Sequence, residues 1–199
     1  MARRILILFA HPTLERSRVN RRLIDGVRAL ADVTVHDLYE EYPTFGIEVA
    51  REQALLAAHD VVVMHHPFYW YSAPALLKEW MDLVLELGWA YGPGATALRG
   101  KLMLNAITTG GTADAYRTDG KNRFTMRELL APFDQSAHLC GMTYLAPFVV
   151  HGALRLGDDD DVGPHVSSYR ALLTALRDDT LDLGRAQQAA NLRHDGGRA

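Results

Sequence analysis

The 199-residue chain carries one cysteine, Cys140, so it cannot form a disulfide within itself, and it reads as a protein suited to a reducing compartment. The apolar surroundings of that residue, Leu139-Cys140-Gly141-Met142, suit a packed thiol without chemistry of its own. No apolar stretch approaches the roughly 20 residues that a membrane span needs, and Ile5 to Phe9 is too short for the core of a secretory signal. A cytoplasmic protein is expected. Neither sign of charge dominates: 21 Lys and Arg face 24 Asp and Glu, and the basic residues are scattered instead of striped. That disfavours nucleic acid as a partner.

Several motifs are missing as well. Ala10-His11-Pro12-Thr13-Leu14-Glu15 stands where a dinucleotide fold would need G-x-G-x-x-G, and there is no P-loop. The acidic residues that a phosphate-accepting receiver places after its first and third strands are replaced by His11 and His65-His66. Nine histidines occur without H-x-x-x-H or H-E-x-x-H spacing, so no metal site is expected. Asp158 to Asp161 lacks the spaced ligands and glycine of a calcium loop and reads as a solvated helix cap.

What is present is an alternation of apolar strands and amphipathic helices. Strands are expected at Ile5 to Phe9, Val33 to His36, Val61 to Met64, Lys101 to Thr108 and Thr143 to His151. Between them lie a helix capped by Ser17 and running to Leu30, a helix of about ten residues ending near His59, one from Pro74 to Leu87, one from Thr125 to Leu139 bent at Pro132, and one from Pro164 to Arg177. The segment from Asp37 to Glu48 reads as polar connection. Residues 1–177 are expected to form one α/β domain, a doubly wound five-stranded parallel sheet in the flavodoxin-like order 2-1-3-4-5, with 178–199 a helical extension that frays. The helix from Pro74 carries two apolar stripes, more than one sheet face buries, which fits a subunit interface or a helix wedged between the sheet and a long loop.

In such a sheet, ligands gather beyond the carboxyl ends of the strands, where strand order reverses. The three loops that meet there hold the unusual residues. The first leads into a helix N-terminus with Ser17, Arg18 and Asn20, suited to a phosphate. The third-strand loop, His65-His66-Pro67-Phe68-Tyr69-Trp70-Tyr71-Ser72-Ala73-Pro74, offers aromatic surface that a flat group would cover. The fourth, Thr108-Thr109-Gly110-Gly111, offers backbone without bulk for the polar edge of a ring. Phosphate donor, flat apolar wall and close backbone approach together describe a flavin mononucleotide site.

The ordered motifs Ala10-His11-Pro12, Ser17 with Asn20, His66 to Tyr71, Pro74, Lys78-Glu79-Trp80-Met81-Asp82, Gly88-Trp89-Ala90-Tyr91-Gly92, Leu98-Arg99-Gly100-Lys101 and Thr108 to Gly111 resemble the NAD(P)H:quinone oxidoreductase, or DT-diaphorase, family. Within it, the small bacterial ancillary flavoproteins of glutathione-gated potassium efflux systems are the most similar in appearance. The resemblance, from residue 4 to 175, implies a homodimer with flavin at the subunit interface, reducing quinones with NAD(P)H by alternate occupancy of one pocket. Carried over, it implies that His11, Ser17, Arg18, Val19 and Asn20 hold the flavin phosphate region. Phe68, Tyr69, Trp70 and Tyr71 would flank the isoalloxazine, and Thr108, Thr109, Gly110 and Gly111 would bond its pyrimidine edge. Tyr116 matches a tyrosine that some members use near the flavin and substrate, or is a partly exposed loop tyrosine; Asn122 stands where the accompanying histidine is found in the mammalian ones, so a tyrosine-histidine relay is not expected and water can deliver the proton. Chain length favours FMN over FAD, although a dimer partner can supply the surface for an adenosine half. The alternative is a regulatory subunit whose partner is a membrane potassium efflux protein.

Overall fold

Ile5-Leu6-Ile7-Leu8-Phe9 is apolar at every position because the strand it forms, β1 (Ile5–Phe9), is covered on both faces and all five residues are buried. The computed structural model describes residues 2–157 and 159–192. β1 pairs in parallel with β2 (Val33–Asp37) on one side and β3 (Val61–Pro67) on the other, and β3 pairs with β4 (Leu102–Thr108). The fifth position is filled by β5 (Thr143–Tyr144) and β6 (Phe148–Val150), both parallel to β4. The order β2-β1-β3-β4-β5 is the flavodoxin-like one.

Three elements depart from the sequence pattern. The expected continuous strand from Thr143 to His151 is broken, because Pro147 has no N–H to donate and Ala146 turns its own N–H to the Ala186 carbonyl at 2.9 Å. The third strand runs past Met64 to Pro67, so His65 and His66 belong to the sheet and the aromatic loop begins at Phe68. The polar connection after β2 contains a helical turn, α2 (Leu38–Glu41), capped by Asp37, whose carboxylate accepts from the Tyr39 and Glu40 amides.

The remaining helices are α1 (Arg18–Val27), α3 (Val49–Ala58), α4 (Ala75–Val84), α5 (Met126–Leu129), α6 (Ala131–Leu139), α7 (Asp159–Arg177) and α8 (Leu183–Gln188). α1 stops three residues short of Leu30 and α4 three short of Leu87, while the expected bend near Pro132 is a break at Leu130 between α5 and α6. α7 starts before Pro164 and runs through it, since one lost backbone bond is tolerated near a helix start. The acidic run expected to precede this helix instead opens it from Asp159, while Asp158 lies outside the described residues, as does the expected chain end from residue 193.

α1 and α7 cover one face of the sheet, with Phe9, Phe148 and Tyr169 in that core; α4 and α6 contribute to the other, around Trp80, Leu56 and Phe133. The extension after α7 returns to the sheet. Ala186 and Leu192 are buried, Leu192 N–H donates to the Pro147 carbonyl at 2.8 Å, and the Asn191 side chain holds both polar groups of the Val149 backbone at 2.9 and 3.1 Å. Among the described residues no helix is long and apolar enough to cross a membrane.

Candidate functional site

The carboxyl ends of β1, β3 and β4 open into a cleft of about 420 Å³, and a second of about 340 Å³ adjoins it along Phe68, Thr109 and Gly110. The first is lined by His11, Ser17, Arg18, Val19, Asn20, Phe68, Tyr69, Thr108, Thr109 and Gly110. The second adds Trp70, Tyr71, Gly111 and Tyr116. The residues to which the sequence assigns flavin contacts, together with Tyr116, therefore border the groove made by these two adjoining clefts, although they differ in what they present to it.

At one end the groove is a set of donors. Ser17 caps α1, accepting from the Asn20 N–H at 3.3 Å and from Asn20 Nδ2 at 2.9 Å. The positive end of the α1 dipole and the exposed Arg18, which reaches the Gly157 carbonyl at 3.0 Å, add positive potential there. His11 accepts from the Thr13 N–H through Nδ1 at 3.2 Å, so in the neutral ring the proton sits on Nε2. Burial pushes the His11 pKa down, which keeps the ring in that neutral form. Asn20 and Val19 are buried beneath this surface.

The middle of the groove is narrow by design of its backbone. Thr109 is tied to β6 by its N–H to the Val150 carbonyl at 3.0 Å and by its carbonyl from the Ala153 N–H at 2.9 Å. A Cβ on Gly110 would stand 2.9 Å from Leu154 Cδ1, and one on Gly111 would stand 2.9 Å from Tyr116 Cε2. At both positions the neighbouring side chain takes the space that a Cβ would need, so glycine lets Leu154 and Tyr116 lie against this backbone.

The far end is aromatic. Tyr69 to Ser72 is a tight turn closed by the Ser72 N–H to the Tyr69 carbonyl at 2.9 Å, with Trp70 and Tyr71 both left-handed at φ 50° and 61°. Turns of this hand favour Asn and Gly, so two aromatic residues store strain here. Trp70 is 93% exposed and forms the rim of the groove instead of an inner wall. Tyr71 donates to Asn122 Oδ1 at 3.3 Å across the mouth. Tyr116 is hydrogen-bonded to the Thr109 hydroxyl and packs 6.1 Å from Phe68 and 5.5 Å from His151, centroid to centroid. Asn122 faces Tyr71, whereas the ring beside Tyr116 is that of His151, which follows β6. The sequence signal for it was its place just beyond a strand's carboxyl end.

Residues 3–173 match a family profile described as having a flavodoxin-like fold. The chain belongs to that family. Among flavodoxin-like relatives, the glutathione-regulated potassium-efflux system ancillary protein KefG of Pectobacterium carotovorum is 51% identical over 156 residues, covering 78% of this chain and 85% of the relative. The general stress protein 14 of Treponema denticola, solved in complex with FMN, superposes with a TM-score of 0.81 at 40% identity over 87% of this chain and 99% of that one. An NADPH-quinone reductase from P. pentosaceus gives 0.78 at 34% identity over 85% and 97%.

Proposed function

We propose that this flavodoxin-like chain is a flavin-dependent NAD(P)H oxidoreductase that reduces quinones or similar electrophilic acceptors by two-electron transfer in alternating half-reactions. The observation that carries the reading is the groove itself, with anion donors at one end, glycine backbone in the middle and aromatic rings at the other. The donor set at the α1 end, Ser17, Arg18 and the helix amides beside His11, fits a singly phosphorylated flavin, FMN. FMN in a 40% identical structural neighbour and NADPH-quinone reductase as the description of another support it.

Bound there, the flavin would accept a hydride from the nicotinamide and pass the equivalent on to the quinone. The chain's own work is to hold and orient. Ser17, Arg18 and the α1 amides would take the phosphate, with His11 Nε2–H beside them. Phe68 and Tyr69 would cover the ring system, with Thr109 to Gly111 meeting its polar edge. Tyr116, its hydroxyl anchored on Thr109 and its ring beside His151, would orient the acceptor and supply a proton to the oxygen that gains charge. The exposed Trp70, Leu83 and Leu87 support a homodimer in which the second copy closes the groove.

The deciding experiment is the visible spectrum of the purified protein, before and after anaerobic NADPH, with the released cofactor identified by mass. Yellow colour that bleaches and returns on adding a quinone supports the enzyme. A colourless protein that takes up neither FMN nor FAD overturns it. Sedimentation velocity should report about twice the chain mass, and a monomer at micromolar concentration would remove the dimer.

A second reading is favoured by the KefG relationship: a soluble ancillary subunit that engages a potassium-efflux protein in the membrane. Copurification with such a protein, undiminished in a Tyr116→Phe variant without quinone reductase activity, would separate this role from catalysis.

A further inference from the structure

His65 lies in the middle of the sheet, fully buried, behind the donor end of the groove and without contact to it. Its two ring nitrogens face different partners. Nδ1 is 3.2 Å from the Tyr169 hydroxyl on α7, and Nε2 is 3.2 Å from Asn20 Oδ1 on α1. Phe9 packs edge-on against the ring at 5.1 Å. Burial drives the pKa of this imidazole down to about 3, with the neighbouring His66 and His11 adding to the effect, so it is neutral and has one donor and one acceptor nitrogen.

Two assignments of the proton exist, and they are not equivalent. With the proton on Nδ1, the ring would donate to the Tyr169 oxygen. Among the described residues His65 is the hydrogen-bond partner of that fully buried hydroxyl, so its own proton would then be stranded in the core. With the proton on Nε2, Tyr169 donates to Nδ1, Nε2–H donates to Asn20 Oδ1, and every group is satisfied. The second arrangement fixes which way the Asn20 amide points. Its Nδ2 must face forward, where it donates to Ser17 Oγ at 2.9 Å and lies 3.0 Å from Thr108 Oγ1, a hydroxyl that in turn can donate to Oδ1 at 3.2 Å and so accommodates this orientation without setting it. Ser17 Oγ then accepts twice, from Asn20 Nδ2 and from the Asn20 N–H. With both lone pairs engaged, its hydroxyl proton is left for the groove.

We infer that His65 is a positioning residue for anion recognition: held between Tyr169 and Asn20, it sets the Asn20 amide and so turns the Ser17 hydroxyl into a donor toward the phosphate end of the bound group. A reversed amide would present Oδ1 to Ser17, capture its proton and leave an acceptor facing a phosphate. The inference rests on the flavin phosphate lying at Ser17, as proposed above. It goes beyond that reading by assigning the specificity for the phosphate to a residue that never touches it.

Two measurements test it. Long-range proton–nitrogen correlation spectra of the imidazoles in the wild-type protein should show His65 protonated at Nε2 and bare at Nδ1; the opposite tautomer overturns the inference without any variant. The affinities of the apoprotein for FMN and for riboflavin, which lacks the phosphate, are then compared. The wild type should prefer FMN. His65→Leu should lower that preference by about tenfold to a hundredfold, the range of one hydrogen bond to a charged group, mainly by weakening FMN. His65→Gln, whose amide can accept from Tyr169 and donate to Asn20, should restore most of it. A wild type that binds both equally sinks the phosphate placement of the preceding section, whereas a wild-type preference left unchanged in folded His65→Leu sinks the role of His65 alone.

Discussion

Gly111 and Tyr116 are in contact across a five-residue turn: a Cβ on the glycine would sit 2.9 Å from Cε2 of the ring and 3.2 Å from its hydroxyl oxygen. Gly111→Ala should therefore displace the ring by a few tenths of an ångström and loosen its bond to Thr109. Both residues are half-buried at the edge of the core, so the fold should survive. Quinone reduction should fall by about tenfold to a hundredfold, since orientation is what the tyrosine supplies. Steady-state kinetics beside a flavin-binding titration checks this; unchanged turnover would remove Tyr116 from the acceptor site.

Trp70→Gly is expected to separate stability from function. The backbone at Trp70 has φ 50°, a conformation that glycine adopts without strain. Because the side chain is exposed, little packing is lost, and the isolated chain should gain about 1 kcal/mol from the relieved left-handed residue. Flavin retention and self-association should weaken at the same time. Thermal unfolding of the apoprotein and sedimentation of the variant would show the two effects moving in opposite directions.

How much of this was legible in the sequence depends on how far apart the causes lie. The strand β1 could be read from five consecutive residues, and the three loops at the sheet edge followed from the alternation of elements. Asp37 as a cap was visible in principle, but the four-residue α2 behind it carries no periodicity to detect. The break between β5 and β6 has a local sign in Pro147, yet its other half, the bond from Ala146 to Ala186, is made by a residue 40 positions on. The donor end of the groove is similar: Ser17 reads as a cap, while the partner that orders Asn20 comes from β3 and the partner of that from α7, a separation of 104 residues. His151 has a local sign in its place at a strand's carboxyl end, but its packing against Tyr116 joins residues too far apart in the chain for any pattern to show.

Acid should destabilise the fold well before carboxylates are protonated. Burial lowers His65 to about 3 and His66 to about 4 from an ordinary value of 6.5. Both folded values lie below the unfolded one, so the unfolded chain binds more protons in between. The stability that depends on neutral rings is complete above 6.5 and is lost as pH falls through 6.5 toward 4. Each ring should remove about 1.4 kcal/mol per pH unit within that window. Urea unfolding followed from about pH 7 to about pH 5 checks the slope, and a flat profile would mean that the two rings are not buried neutral.

Glu52 is the corresponding carboxylate on the opposite face of the sheet. Fully buried, it accepts from Tyr42 at 2.6 Å and Trp80 Nε1 at 2.8 Å and pairs with His36 at 2.9 Å. Burial alone would raise its pKa, but these three partners outweigh it and hold the carboxyl below its usual value. Glu52→Gln keeps the shape but removes the charge and leaves one acceptor oxygen where the carboxylate offers two to Tyr42, Trp80 and His36. A loss of about 2 to 4 kcal/mol in chemical denaturation is expected, with flavin affinity unchanged in the folded fraction.

The segment after α7 lies across the outer side of β6, where the Asn191 amide occupies the Val149 N–H and carbonyl that a neighbouring strand would otherwise use. That clasp makes the segment around Asn191 a safeguard against polymerisation. A protein cut back to the end of α7 would keep its groove but bare a short, flat, apolar ribbon of Phe148, Val149 and Val150, an invitation for another molecule to add itself to the sheet.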